Sequence, residues 1–294
     1  MAHAITLLPD AQLAQAQATY REACTARRLR STLGLCVLAV AIVLAAIAGE
    51  VDLARFVRNI HRLPNYIYNI TPSLSWTNLG ADLREWFWNL PDWLKLLGDT
   101  LLMAYLGTAL GAAAAFMLCF LGTANLEPRW WVRALCRRFM EFCRTVPEIV
   151  FALLFVLAFG LGPVPGVLAL AIHSTGALGK LFAEAVENID MNPVEGATAT
   201  GANRALTIRY AVLPQVLSTF ASYTLLRFEY NVRSAAVIGF VGAGGIGQDL
   251  MVAIRKFYYS DVSAILVLVV ATVVVIDLVT ERVRHRLIGL DRSA

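Results

Sequence analysis

Charged residues are scarce in this chain. They make up 16% of its 294 residues, against 58% hydrophobic residues, and the mean hydropathy is +0.63. Water-soluble domains carry about 25% charged residues. The shortage of charge therefore argues against a soluble enzyme and favours a chain embedded in a lipid bilayer.

Spacings that hold metals, nucleotides or nucleic acids are also missing. Four histidines and five cysteines are scattered without CxxC pairs, so we predict no disulfide, no metal site and no cofactor in this chain. No GxxxxGK[ST] loop is present to hold ATP phosphates. The net charge is only +4, and the basic residues form short clusters, which argues against a nucleic-acid-binding face.

Six apolar stretches approach the ~20 residues that a helix needs to cross the hydrocarbon core, and they predict an all-α bundle of about six transmembrane helices. They cover 32–49, 97–122, 146–161, 164–182, 215–239 and 263–280. An even number of crossings places both termini on one side. Arginine clusters assign that side to the cytoplasm; they are Arg27, Arg28 and Arg30, then Arg129, Arg133, Arg137, Arg138 and Arg144, then Arg282, Arg284 and Arg286.

The same stretches divide the chain into five segments. These are a cytoplasmic N-terminal segment (1–31), a first anchor (32–49), an external or interfacial segment (50–96), a transmembrane domain (97–286) and a cytoplasmic tail (287–294). Ala46-Ile47-Ala48 resembles a signal-peptidase site, but its leader of about 30 residues is long, which favours an uncleaved anchor. Tryptophans in 50–96 indicate helices in the headgroup zone, namely Trp76, Trp86, Trp88 and Trp93.

The loop between the fourth and fifth stretches, 184–214, is polar yet helical in pattern, with one break at Asn192-Pro193. It keeps in full the spacing of the EAA loop of ATP-binding-cassette (ABC) importer permeases, which it resembles. The matching residues are Glu195, Gly196, Ala197, Gly201, Leu213 and Pro214. Gly196 stands where that family has Ala, and Ala211 where it has Ile. The resemblance implies that this loop docks a separate ATPase.

A second resemblance is to the phosphonate importer permeases, and phosphite and methionine permeases share parts of it. It rests on RFEYNVRSAA at 227–236 and GFVGAGGIG at 239–247, with supporting matches at 160–163, 166–170, 172–176 and 184–187. The likeness covers 97 to about 286.

This resemblance implies a fold and a set of partners. The expected fold is a permease core like that of the methionine importers, in a bacterial inner membrane. The expected partners are a second copy of the chain, membrane lipid, two ATPase subunits that bind ATP and Mg, and an extracytoplasmic protein that delivers a phosphonate-type oxyanion. Phosphite, phosphate or a methionine-like solute are alternative cargoes. An ion-coupled secondary transporter is the alternative mechanism, although we find neither inverted repeats nor many intramembrane carboxylates.

Ionisable groups inside a span are functional candidates because their burial in lipid is costly. Arg227, Asn231 and Ser234 are spaced by four and three on one helical face, and we expect them to line an anion path. Arg233 is expected to pair with Glu229 and to belong to the same path. The alternative is that these charges form structural ion pairs.

Two further groups of residues carry weaker expectations. His173, with Ser174 and Thr175, either contacts cargo or bonds across helices. Glu148 is expected to form a local ion pair with Arg144, four residues earlier. Gly242, Gly244 and Gly245 belong to irregular backbone at the external end of the pore, either as an outer gate or as an ordinary tight loop.

Overall fold

The computed structural model describes residues 10–50, 52–71 and 77–291, and every regular element in these ranges is helical. The predictions that concern 1–9, Trp76 and 292–294 lie outside the described residues. The chain forms two compact units, Met1–Tyr66 and Ile67–Ala294.

The first unit contains helix α1 (Asp10–Ala48) and helix α2 (Leu53–Asn59), and helix α3 (Arg62–Ile70) begins in it. The apolar part of α1, Tyr20–Ala48, is long enough to cross a membrane. Its leucines and valines are exposed on all sides, as lipid-facing side chains are. The helix covers nearly all of the predicted span at 32–49 and begins well before it, at Asp10.

The second unit is an irregular bundle of ten helices in the range 77–291. They are α4 (Leu79–Trp86), α5 (Leu90–Gly122), α6 (Trp130–Thr145), α7 (Glu148–Phe159), α8 (Pro163–Glu187), α9 (Asn192–Ala199), α10 (Arg204–Thr207), α11 (Leu213–Ile238), α12 (Ile246–Arg255) and α13 (Tyr259–Asp291). A π-helical turn, Ile208–Val212, joins α10 to α11, and a 3-10 turn, Gly239–Val241, follows α11.

Four described helices are long and apolar enough to cross a membrane, or six if each of two bent pairs counts as one span. The expected third span at 146–161 is shorter than predicted, because α7 has 12 residues and reaches only about 18 Å. It follows α6 at a bend of 85°. Val146 and Pro147 occupy the bend, and proline there cannot donate the hydrogen bond that would continue α6.

Glycines bring α5 and α8 together in the core of the second unit. A Cβ added to Gly107 would lie 2.6 Å from Leu170 Cβ, and one added to Gly111 would lie 2.5 Å from Ser174 Cβ. Small residues allow two membrane helices to approach at this separation. Helix α11 packs against both, so that polar side chains of α5, α8 and α11 can meet inside the bundle.

The described tryptophans of segment 50–96, Trp86, Trp88 and Trp93, contact the bundle. Trp86 Nε1 donates to Ser263 Oγ at 2.9 Å, and Trp88 Nε1 donates to Asp261 Oδ1 at 3.0 Å. Trp93 is only 2% exposed. These contacts fix α4 and the start of α5 to α13.

Candidate functional site

Helix α9 lies at the end of the bundle where α8 ends and α11 begins. The two flanking segments are bonded to each other, because Gln215 accepts a hydrogen bond from the Asp190 backbone N at 3.0 Å and donates one to the Asp190 carbonyl at 3.1 Å. Val194 packs into the core beside Val186 and Val212. The base of α9 is therefore anchored to the bundle.

The outer face of α9 is small and open. Glu195 and Gly196 are exposed, and Ala197 is half-buried. A Cβ added to Gly196 would meet nothing within 4 Å. Gly201 has a φ of +84°, a conformation that glycine adopts without strain, and it turns the chain back toward α10. Leu213 and Pro214 begin α11, as the sequence predicted.

Two ion pairs brace this end of the bundle. Arg204 of α10 places Nη1 at 2.6 Å from Glu127 Oε2 and donates from Nη2 to the Phe120 carbonyl at 3.0 Å. Its guanidinium holds the pKa of the buried Glu127 carboxyl below its usual value. A depressed carboxyl pKa means that this pair stabilises the fold at neutral pH and that its contribution is lost as the pH falls through the lowered value.

The second brace joins the end of α8 to the start of the α5–α6 connection. Arg137 of α6 bonds Glu187 Oε1 and donates from Nε to the Gly122 carbonyl at 2.7 Å. Glu187 Oε1 also accepts from the Ala124 backbone N at 2.8 Å. Together the two braces connect both sides of α9 to the α5–α6 connection.

Polar side chains from α5, α8 and α11 meet in the interior of the bundle. Arg227 donates from Nε to Ser174 Oγ at 3.0 Å, and its Nη2 lies 2.8 Å from His173 Nδ1. Asn231 donates from Nδ2 to Ser174 Oγ and to Thr108 Oγ1, both at 2.8 Å. Asn231 is 0% exposed, and among the described residues its Oδ1 has no hydrogen-bond partner.

Glu148, the first residue of α7, completes this cluster. It accepts from Ser234 Oγ at 2.7 Å and from Tyr230 OH at 3.1 Å, and its Oε2 lies 3.0 Å from His173 Nδ1. The guanidinium carbon of Arg227 lies 4.5 Å from the centroid of the Tyr230 ring. The negative charge of Glu148 and the positive charge of Arg227 thus offset each other where α7, α8 and α11 meet.

Arg233 is placed differently from the rest of α11. Its side chain is 51% exposed, and it pairs with Glu229 of the same helix, which confirms the expected spacing of four. Its neighbours along the exposed stripe of α11 are Leu226, Tyr230 and Val237. Arg233 is therefore a cation on the open face of the helix, whereas Arg227 is engaged inside.

The glycine segment 239–247 forms a buried turn at the other end of α11. Gly242, Gly244 and Gly245 have φ values of +90°, +82° and +72°. Gly162 N donates to the Gly242 carbonyl at 3.1 Å, and Ile246 N donates to Thr100 Oγ1 at 3.0 Å. The turn thereby joins the α7–α8 connection to α5.

The model of one protein family matches more than half of the chain. The family is described as the inner membrane component of binding-protein-dependent transport systems, and the match covers residues 120–288. This chain belongs to that family. It is therefore a permease, the membrane-spanning component of an importer that works with a separate binding protein.

Two relatives and one solved structure are similar to this permease. The phosphite transport system permease protein PtxC of Stutzerimonas stutzeri is 41% identical over 72% of this chain and 76% of its own length. PhnE2, a permease protein of a cryptic phosphonate transport system of Escherichia coli, is 54% identical over 41% of this chain and 99% of its own length. The inward-facing MetNI methionine ABC transporter gives a TM-score of 0.57 at 20% identity, covering 66% of this chain and 95% of that chain, and it shows the fold.

The structure places the predicted residues of the permease in three separate regions of the second unit. The EAA-like residues lie at one end, the glycine segment lies at the other, and the polar cluster lies between them. Arg227, Asn231 and Ser234 lie on α11, and His173 of α8 lies beside Arg227, but Asn231 is fully enclosed within the chain. Arg233 does not join them.

Sequence reasoning missed the residues that hold these regions in place. Glu148 was expected to pair with Arg144, but its partners are His173, Tyr230 and Ser234. The brace between Glu127 and Arg204 joins residues 77 positions apart. No local pattern in the permease sequence indicates either contact.

A matched pair of glycine variants tests the glycine segment. We expect Gly247→Ala to destabilise the folded permease strongly, because its Cβ would overlap the Ala236 carbonyl oxygen. We expect Gly196→Ala to be tolerated and to stabilise α9 by about 0.5–1 kcal/mol, because alanine is the better helix residue and the site is open. Thermal denaturation of the two purified variants in detergent measures both effects. Equal stability of the two variants would contradict the packing of the glycine segment.

Proposed function

We propose that two copies of this permease, two ATPase subunits that bind ATP and Mg, and an extracytoplasmic binding protein import a phosphorus oxyanion, phosphite or a phosphonate, by alternating access. The cargo class is supported by the names of the two relatives, one a phosphite and one a phosphonate transport permease. The permease supplies the path and carries out no covalent chemistry. Both of its termini face the cytoplasm of a bacterial cell.

The observation that carries this proposal is the geometry of α9. Its outer face, with Glu195 and Gly196, is open to a partner, while its base is fixed by Gln215, Arg204 and Glu187. A partner shifts a conformational equilibrium only if it binds the two states differently. Because α9 is exposed on its outer face and bonded to the bundle at its base, a difference in partner binding between the two states is transmitted through it to α5, α6 and α11.

Reconstitution of the whole importer tests this function. Proteoliposomes with permease, ATPase and binding protein are expected to accumulate phosphite and methylphosphonate when ATP is supplied on the ATPase side. Methionine is expected not to compete. Uptake driven by a proton or sodium gradient without ATP would contradict the proposal and favour a secondary transporter, and uptake of methionine alone would contradict the cargo class.

The path for the anion follows α11 in this proposal. Arg233 presents a guanidinium on the exposed stripe of the helix, where a second copy of the permease would enclose it. Arg227, Asn231, Ser234 and His173 form the polar wall behind that stripe. Guanidinium groups match the oxygens of a phosphorus oxyanion with two parallel hydrogen bonds, which suits them to this task.

Arg233→Gln tests the path without disturbing the interior. We expect it to lower phosphite uptake about tenfold, the loss of one charge-assisted contact, while leaving assembly with the ATPase unchanged because the side chain is half-exposed. Glu229→Gln is the matched control, since it breaks the same ion pair but keeps the cation. Uptake is measured in the reconstituted importer, and an equal loss in both variants would contradict a role for Arg233 in the path.

Gly242, Gly244 and Gly245 are proposed as the outer gate of the permease. Their positive φ values and the bonds of the segment to Gly162 and Thr100 link the α7–α8 connection, α5 and α12 at one point. This is the end of the bundle opposite to α9, where cargo arrives from the binding protein in the proposed cycle.

A further inference from the structure

The ring nitrogen Nδ1 of His173 faces two groups with opposite requirements. Arg227 Nη2, a donor in every protonation state, lies 2.8 Å away, and Glu148 Oε2, an acceptor when ionised, lies 3.0 Å away. A ring nitrogen carries either a lone pair or a proton. It therefore satisfies Arg227 or Glu148, but not both at once.

The other ring nitrogen, Nε2, limits which protonation states of His173 are favoured. His173 Nε2 lies 3.2 Å from the carbonyl oxygen of Arg144, which can only accept a hydrogen bond. A proton on Nε2 is therefore favoured in every state. The neutral ring then has its lone pair on Nδ1 and bonds Arg227, whereas the protonated ring donates from Nδ1 to Glu148.

We propose that His173 and Glu148 are positioning residues that release Arg227 to the cargo when His173 takes up a proton. This inference rests on the proposed function, because it assumes that an oxyanion reaches the cluster. A proton from water adds to Nδ1, the bond from Arg227 Nη2 is lost, and the new N–H donates to Glu148 Oε2. Nη2 of Arg227 is then released from His173 and binds an oxyanion oxygen.

The charges of the cluster make proton and anion binding mutually favourable. With His173 neutral, Glu148 and Arg227 sum to zero, and with His173 protonated the sum is +1. A monoanionic cargo returns it to zero. Because binding free energies are reciprocal, cargo must favour the protonated ring as much as the protonated ring favours cargo.

Among the described residues, the charged groups in contact with His173 are Glu148 of α7 and Arg227 of α11, and the titratable Tyr230 contacts both of these. Helix α6 contributes the Arg144 carbonyl, while the Arg144 side chain is exposed. His173 and Glu148 are 13% and 16% exposed, so that both side chains are largely enclosed.

A direct test is nitrogen NMR on the full importer with only the permease labelled with 15N-histidine. The permease has four histidines, and the signal that is lost in the His173→Gln variant belongs to His173. We expect the neutral ring to carry its proton on Nε2 at high pH, and we expect phosphite, added at constant pH, to increase the doubly protonated fraction. Sodium chloride at equal ionic strength is the control. A neutral ring protonated on Nδ1, or no change with phosphite, would overturn the proposal.

A functional test uses the pH profile of phosphite uptake. Phosphite, the binding protein and the ATPase also change protonation with pH, but they affect both permeases equally. The ratio of wild-type uptake to His173→Gln uptake at each pH therefore removes their contribution. Glutamine accepts from Arg227 but does not titrate, so the ratio is expected to rise as the pH falls, by at most about tenfold per pH unit for one linked proton. A ratio independent of pH would overturn the switch. Absence of ATP-driven uptake at every pH would instead contradict the proposed function, and the NMR experiment decides the switch without it.

Discussion

Replacing Arg227 by methionine is expected to lower ATP-dependent phosphite uptake by about 100-fold or more, because it leaves the polar cluster of His173, Ser174 and Glu148 without its cation, and an uncompensated buried charge costs about 3–5 kcal/mol. Methionine leaves the Glu148 carboxylate without its offsetting cation, and it removes the donor to Ser174 Oγ. Uptake in the reconstituted importer and the amount of assembled complex are measured together.

The double variant Glu148→Gln/Arg227→Met separates the two possible roles of Arg227. It removes both charges, so that no unpaired charge is buried, and we expect the complex to assemble again while uptake stays low. Tyr230→Phe is the mild control, since it removes only the 3.1 Å hydrogen bond to Glu148. Recovery of full uptake in the double variant would show that Arg227 acts only as a structural partner of Glu148.

Reversing the charge of Glu195 is expected to have the second largest effect. In Glu195→Lys the exposed outer face of α9 carries a cation in place of the carboxylate, and we expect co-purification of the ATPase and phosphite uptake to fall by about tenfold or more, since a reversed charge in an interface costs several kcal/mol. Among the described residues no group bonds the Glu195 side chain, so the permease itself should remain folded.

Glu281→Lys is the matched control for this experiment. Glu281 is an exposed carboxylate near the end of α13, with a long contact of 3.8 Å to His285. The substitution makes the same change in net charge without touching α9. If both variants lost the ATPase equally, the effect would be a general change of surface charge, and the role of α9 in docking would be contradicted.

Much of the architecture was predictable because it depends on local composition and spacing. The helix at Asn192–Ala199 and the new helix that begins at Leu213 follow from the positions of proline and glycine in the EAA-like pattern. The pairing of Arg233 with Glu229 follows from four-residue spacing on one continuous helix.

The predictions that the structure contradicts also failed for physical reasons. The expected pair of Arg144 and Glu148 required a continuous helix, but the 85° bend places the two residues on different helices, and only the Arg144 carbonyl approaches the cluster through His173. The same bend shortens the third predicted span. Trp93 was assigned to an interfacial belt, but it packs in the core beside Leu97 and Ile246.

The sequence by itself determined that this permease is a set of lipid-embedded helices with an EAA-like loop, because hydropathy, proline, glycine and motif spacing act over a few turns of one chain. Only the tertiary structure decided which partner each interior charge has. Glu148, His173 and Arg227 come from three helices, and their meeting depends on how those helices bend and rotate against one another, which no local pattern encodes.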